Sequence, residues 1–384
     1  MEEKPEMPAP AEQAAPAPAA EQAAPAPEQR NASLIRVCVD ADGGDDAPAV
    51  VADGVRLALQ ADSDLHVVLV GREASVSQVA GEFPDRITPV VTTEVIEMGD
   101  HPADAVRHKK DSSIVVGCKL VHQGEADCFF SAGSTGAVLT AATILIGRVK
   151  GVQRPALATI VPVPGHPTVL LDCGANADCK PEHLVQFAHM GRAYAQSVLG
   201  MADPTVGLLN NGAEETKGCE LAIEAHAMMR DQIPGFAGNV EGGGLMSGAC
   251  DIVVADGFTG NVALKIIEGT AKMLFKSLKG AMTSSLGNKL AAAKLSGAFH
   301  QIKDSIDPDT YGGAPLLGAR AACIIGHGSS SAVAIKNGVL QCAAAARGGL
   351  PDKIATALAD AKAASAASAA TAGADAAAAS ANNQ

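Results

Sequence analysis

Short apolar runs rich in β-branched residues recur along the chain, and each gives way to a turn of Gly, Ser, Thr, Asn and Asp followed by a helix-length segment. Residues 34–39 lead into Asp40-Ala-Asp-Gly-Gly-Asp45, 127–130 into Ser131-Ala-Gly-Ser-Thr-Gly136, and 168–171 into Asp172-Cys-Gly-Ala-Asn176. Residues 205–209 lead into Asn210-Asn-Gly-Ala-Glu-Glu-Thr-Lys217, 251–255 into Asp256-Gly-Phe-Thr-Gly-Asn261, and 322–325 into Gly326-His-Gly-Ser-Ser330. Unbroken apolar strands alternating with helices predict an α/β fold built on a mainly parallel sheet covered on both faces. In such a sheet the turns after the strands share the carboxyl edge, so all six are expected to meet at one ligand site.

Both ends of the chain depart from this pattern. Residues 1–30 hold 7 of the 21 Pro with 10 Ala and 6 Glu and no Val, Ile, Leu or Phe, which predicts a disordered Ala/Pro/Glu tail over 1–33. Of residues 361–384, 14 are Ala, so 359–384 is expected to be a flexible Ala-rich tail. The domain is expected to span 34–358.

Composition narrows the function. The 384 residues carry 29 Lys+Arg against 42 Asp+Glu, and the net charge of -13 argues against nucleic-acid binding. Aromatic residues at 3% with no Trp argue against a base-stacking platform. None of the nine Cys forms a C-x2-C or C-x4-C pair, so no zinc or iron-sulfur site is expected. Free thiols, an N-terminus without an apolar run and the lack of any 18-residue apolar stretch point to the cytoplasm.

The charge is unevenly spread. Residues 262–303 contain seven Lys and one Glu, a local charge of +6. Lys272, Lys276 and Lys279 share one helical face, Lys289 and Lys294 follow, and Leu290 and Leu295 belong to apolar residues at helical spacing. This predicts a basic amphipathic helical arm over 265–305, read either as a contact for an anionic membrane or acidic carrier or as a dimerisation arm with solvated lysines.

The turns suggest phosphate chemistry. Ser131, Gly133, Ser134, Thr135 and Gly136 open a helix, where unpaired N–H groups and the positive helix end suit an anion, although a Ser/Thr cap packed with Gly would look the same. Asp256, Thr259, Gly260 and Asn261 repeat the arrangement, as does the turn around His327. No Walker A loop, complete G-x-G-x-x-G, H-E-x-x-H or G-x-S-x-G is present, which leaves a phosphate-bearing ligand without a standard nucleotide cradle. Arg107 and Lys110, beside Lys109, stand ahead of a Ser-Ser helix start and are read as phosphate binders or as a solvated charge run. Asp172 and Asn176 either orient a carbonyl or satisfy their turn. Lys217 is either an ammonium facing an oxyanion or part of a helix start, and His327 is either a proton donor or a polar cap.

In this order the motifs resemble those of the bacterial acyl-acyl carrier protein:phosphate acyltransferase family of phospholipid synthesis. The resemblance runs over residues 36–346 and rests on the six turns with Arg107-His-Lys-Lys-Asp-Ser-Ser113 and Tyr311-Gly-Gly-Ala-Pro-Leu-Leu-Gly318. It implies a three-layer α/β/α fold related to phosphotransacetylases and isocitrate dehydrogenase-like proteins, a homodimer and peripheral membrane association. It also implies attack of inorganic phosphate on a long-chain acyl carrier protein thioester, giving acyl phosphate for a membrane glycerol-3-phosphate acyltransferase. No metal or cofactor is needed for this, because phosphate is already an anionic nucleophile and a thiol of pKa about 8.5 a tolerable leaving group. On this reading Gly43, Gly44, Asp45, Arg107, Lys110, Asp172, Asp256, Thr259, Gly260, Asn261 and the Ser131 to Gly136 loop bind phosphate or substrate, and Asn176, Lys217 and His327 act on the thioester. Ser134 stands where the family has Asn, Asp42 where it has Met, and Asn211 and Ala213 where it has Ile and Glu. The rival readings are a phosphotransacetylase-like enzyme using short acyl-coenzyme A and a non-catalytic scaffold for acyl phosphate or the carrier.

Overall fold

A computed structural model describes residues 34–163, 165–305 and 308–381, and the expected tail over 1–33 lies outside the described residues. The strands are β1 (Ile35–Asp40), β2 (Leu65–Gly71), β3 (Ile87–Val91), β4 (Cys128–Ser131), β5 (Ala156–Val161), β6 (Thr168–Leu171), β7 (Val206–Leu209), β8 (Phe236–Val240), β9 (Ile252–Val254), β10 (Ala314–Leu317) and β11 (Ala322–Ile325). The helices are α1 (Ala49–Ala61), α2 (Glu73–Ala80), α3 (Pro102–His108), α4 (Ser113–Gln123), α5 (Thr135–Ala141), α6 (Pro181–Ser197), α7 (Glu220–Gln232), α8 (Gly242–Ser247), α9 (Gly257–Thr283), α10 (Leu286–Ser305), α11 (Ala332–Arg347) and α12 (Leu350–Ala381). One sheet holds the described strands in the order β3-β2-β1-β4-β11-β10-β5-β6-β9-β7-β8.

Side-chain alternation along the strands makes the layers. Val37 and Val39 of β1 enter one core with α1, α2, α6, α7, α11 and α12, whereas Cys38 enters the opposite core with α3, α4 and α5. On that second face Val161, Leu170 and Val253 pack beneath α8 and the first turns of α9. Both faces are covered, so the strands read as continuous apolar runs, and the three-layer α/β/α expectation holds.

The direction of the strands corrects the expectation of one carboxyl edge. β3, β2, β1, β4 and β11 run parallel, then β10 pairs antiparallel with both β11 and β5, β5 pairs antiparallel with β6, and β6, β9, β7 and β8 run parallel again. The second half therefore runs opposite to the first, and the six turns divide into two groups of three. At a twist of about 20–25° per strand, the five steps from β4 to β9 turn the strand direction by roughly 110°.

Two helical features extend beyond the sheet. α9 and α10 form the expected arm, which begins earlier than residue 265 because α9 starts at Gly257. Only Gly257 and Gly260 of α9 are buried, and Ile266, Leu274, Leu286, Leu290 and Leu295 are all more than half exposed. The Ala-rich end, expected as a flexible tail, continues α12 to Ala381. Leu358 is its last buried residue before 367, and over 359–367 the high helix propensity of Ala carries the helix without a buried face.

Gly338 lets α11 approach β4, because a Cβ there would lie 2.2 Å from Phe130 Cε2. Gly338→Ala is expected to destabilise the fold by about 1–3 kcal/mol through overpacking, read as a lower urea midpoint with an unchanged m-value.

Candidate active site

The first group of turns follows β1, β4 and β11. Asp40, at the end of β1, is 2% exposed, and its carboxylate accepts from Ser131 Oγ at 2.7 Å and Asp42 N at 3.0 Å. Ser131 Oγ in turn accepts from Gly133 N at 3.0 Å, so a buried acid fixes the start of the loop after β4. Burial pushes the Asp40 carboxyl above its usual range, and hydrogen bonds involving Ser131, Ser113 and Asp42 oppose the shift. Gly43 has no room for a side chain, since a Cβ would lie 2.6 Å from Asp40 Oδ2 and 2.7 Å from Gly133 N. Gly44 has φ +117°, and Asp45 N donates to Gly328 O at 2.7 Å, which ties the β1 turn to the β11 turn.

Ser131 and Gly133 of this group, expected to hold phosphate, spend their O–H and N–H on Asp40 and on Ser131, but the donors beyond them are open. Ser134 precedes α5 without a side-chain cap, so the first N–H groups of that helix are open, and Thr135 is exposed beside them. α3 packs its Pro102 against Gly136, and Arg107, in the last turn of α3, and Lys110, two residues past its end, are exposed without an ion-pair partner among the described residues. Lys109 differs from them, because Asp100 holds it at 2.5 Å and Val95 O accepts from it at 2.8 Å. His327 is exposed, and its Nδ1 accepts from Ser329 N at 3.2 Å. The neutral ring therefore carries its proton on Nε2, as a donor.

The second group follows β6, β7 and β9, and most of its polar atoms satisfy one another. The Asp172 carboxylate, 0% exposed, accepts from Leu157 N (2.9 Å), Ala175 N (3.1 Å), Asn176 N (2.8 Å) and Asn176 Nδ2 (2.9 Å). Asn176 Nδ2 also donates to Pro155 O, ahead of β5, at 2.7 Å, so both amide hydrogens are spent on the protein, as in the reading of Asn176 as a residue that satisfies its turn. The Asp256 carboxylate accepts from Phe258 N (3.0 Å), Thr259 N (2.9 Å) and Thr259 Oγ1 (2.6 Å), occupying the start of α9 where phosphate was expected. Gly260 serves packing, as a Cβ would lie 2.0 Å from Asp172 O, and Asn261 is exposed beside Gly174. Lys217 stays open: its stem crosses Gly212, its carbonyl accepts from Asn210 Nδ2 at 3.0 Å, and its ammonium has no ion-pair partner among the described residues.

One cation escaped the sequence reading. Arg154, exposed ahead of β5, lies close enough to His183 that its charge, after burial, holds that imidazole below its usual range. No Gly- or Asx-rich turn marks β5, so nothing in the local pattern pointed to it.

The fold is that of phosphotransacetylases. The chain superposes on EutD phosphotransacetylase from Staphylococcus aureus at TM-score 0.52 and 17% identity, over 82% of this chain and 95% of that one. A phosphotransacetylase from Streptococcus pyogenes gives TM-score 0.54 at 18% identity, over 83% and 96%. Residues 35–353 match the model of the family described as "Fatty acid synthesis protein". Phosphate acyltransferases of Desulfitobacterium hafniense (strain Y51) and Bacillus subtilis (strain 168) are 47% and 46% identical over 309 residues, covering 80% of this chain and 92% and 93% of theirs. The chain belongs to the phosphate acyltransferase family of enzymes.

Asp256→Ala is expected to cost about 1 kcal/mol by removing the α9 cap while changing the KM for phosphate less than twofold. A large KM increase in a steady-state phosphate titration would instead make Asp256 a phosphate ligand.

Proposed function

We propose that the enzyme transfers the acyl group of a long-chain acyl carrier protein to inorganic phosphate, giving acyl phosphate for a membrane glycerol-3-phosphate acyltransferase. The observation that carries this reading is the contrast between the two groups of turns: the uncapped start of α5 offers N–H groups to an anion, whereas Asp256 already fills the start of α9. Arg107 and Lys110 add cations on this reading. Phosphate held there attacks the thioester carbonyl carbon through one oxygen, and the tetrahedral intermediate expels the carrier thiolate. His327 Nε2–H can donate to the oxyanion or protonate the departing sulfur, and the Lys217 ammonium draws charge toward the carbonyl oxygen. Gly43, Gly44 and Asp45 shape the floor beneath the phosphate.

The basic arm supports the partner assignment. Lys272, Lys276, Lys279, Lys289 and Lys294 are exposed beside exposed Leu286, Leu290 and Leu295, which suits an acidic carrier protein and an anionic membrane surface. The same apolar positions can pair two copies as a homodimer. No described helix is long and apolar enough to cross a membrane, so the association is peripheral on this reading.

Phosphate-dependent thiol release from palmitoyl-acyl carrier protein should exceed that from acetyl-coenzyme A under identical conditions. Thiol from neither substrate overturns the enzymatic reading, and a preference for acetyl-coenzyme A overturns the carrier assignment. His327→Asn should lower kcat by about 10²-fold or more, whereas Arg107→Ala should mainly raise the KM for phosphate. Replacing Leu290 and Leu295 together with Glu should abolish sedimentation with phosphatidylglycerol vesicles; sedimentation that persists would count against the membrane contact.

A further inference from the structure

A cavity of about 320 Å3 opens beside the second group of turns, between α6, β7, α7 and the start of α9. Leu184, Leu208, Leu221 and Ala255 give it apolar walls, and Cys219 and Asp256 are among its polar lining. We propose that this cavity seats the methylene chain of the acyl thioester, an assignment that rests on the acyl-transfer reading above. The lining has no aromatic ring to stack a base and no cation to hold a phosphate. Its one charged group is the Asp256 carboxylate, which repels anions, and Asn210, Asn211 and Thr259 add uncharged polar atoms, so an uncharged ligand with an apolar chain along the leucine wall and a polar end is the chemistry that fits.

Size and position agree with such a chain. At roughly 30 Å3 per water-sized group the cavity accommodates about ten methylenes, and each one buried strengthens binding about fourfold. Gly218 and Cys219 of the lining directly follow Lys217, whose carbonyl is held by Asn210 of the same lining. A chain leaving the cavity on this side brings its thioester carbonyl toward the lysine. A second cavity, about 290 Å3 beside α11, is at least as apolar, but no residue of the six turns lines it, and the hydrogen-bonded pair Tyr194 and Gln341 stands in its wall.

Cys219 supplies a readout independent of turnover, because it is exposed while Cys179 is half-buried and the other seven cysteines are buried. In the full-length protein, decanol is expected to slow alkylation of Cys219 by iodoacetamide at least fivefold, measured by peptide mass spectrometry, whereas ethanol at the same concentration has no effect. Ala222→Phe, which fills the cavity, should remove that protection. It should also cut kcat/KM for palmitoyl-acyl carrier protein more than tenfold while leaving that for the butyryl form within threefold. Equal alkylation rates with and without decanol in the unsubstituted protein overturn the proposal, whether or not the variant folds. So does a variant that lowers both substrates in parallel. If no thioester yields thiol but decanol still protects Cys219, the acyl-transfer reading fails and the apolar site stands.

Discussion

The three antiparallel ladders in the middle of the sheet, from β11 through β10 and β5 to β6, govern the geometry of everything that follows. They reverse the second half of the sheet against the first. Backbone hydrogen bonding fixes the strand directions. Two similar groups of turns result, each with a Gly-x-Thr-Gly start to its central helix, at Gly133 to Gly136 and at Gly257 to Gly260.

What separates the two groups is which donors are already used. Ala132 stands in the first loop where Asp256 stands in the second, and that one carboxylate caps α9 as a bound anion would. Asp172 similarly collects four N–H donors around itself, including the side chain of Asn176. In the first group the buried acid Asp40 sits a step back, behind Ser131, and leaves the helix start open. A buried carboxylate must be hydrogen-bonded wherever it lies; its distance from the helix start decides whether the loop is self-contained or receptive.

Charge placement extends this division. The chain is acidic on average, yet the lysines of α9 and α10 form a local exception beside an apolar stripe with little cover. Those residues stand on a helical hairpin and not in the sheet layers, so substitutions there can change this surface without disturbing the core.

Much of the fold was legible in local pattern. The strands ending at Asp40, Ser131, Leu171, Leu209, Val254 and Ile325 announced themselves because each apolar run stops at a Gly- or Asx-rich turn. β2, β3, β5, β8 and β10 carry weaker turn signals and were not read. Residue type also picked out Ser134, Arg107, Lys217 and His327 as groups with unspent chemistry. Sequence could not show that the six turns form two groups, because an apolar run is the same whether its neighbour runs parallel or antiparallel, and direction is settled by long-range pairing. Nor could it show that Asn176 and Asp256 are used up internally, since an amide or carboxylate is available for a ligand only if tertiary contacts leave its hydrogen bonds unmade. Local chemistry thus determined which side chains could act, and the three-dimensional pairing of strands and donors decided which remain free to do so.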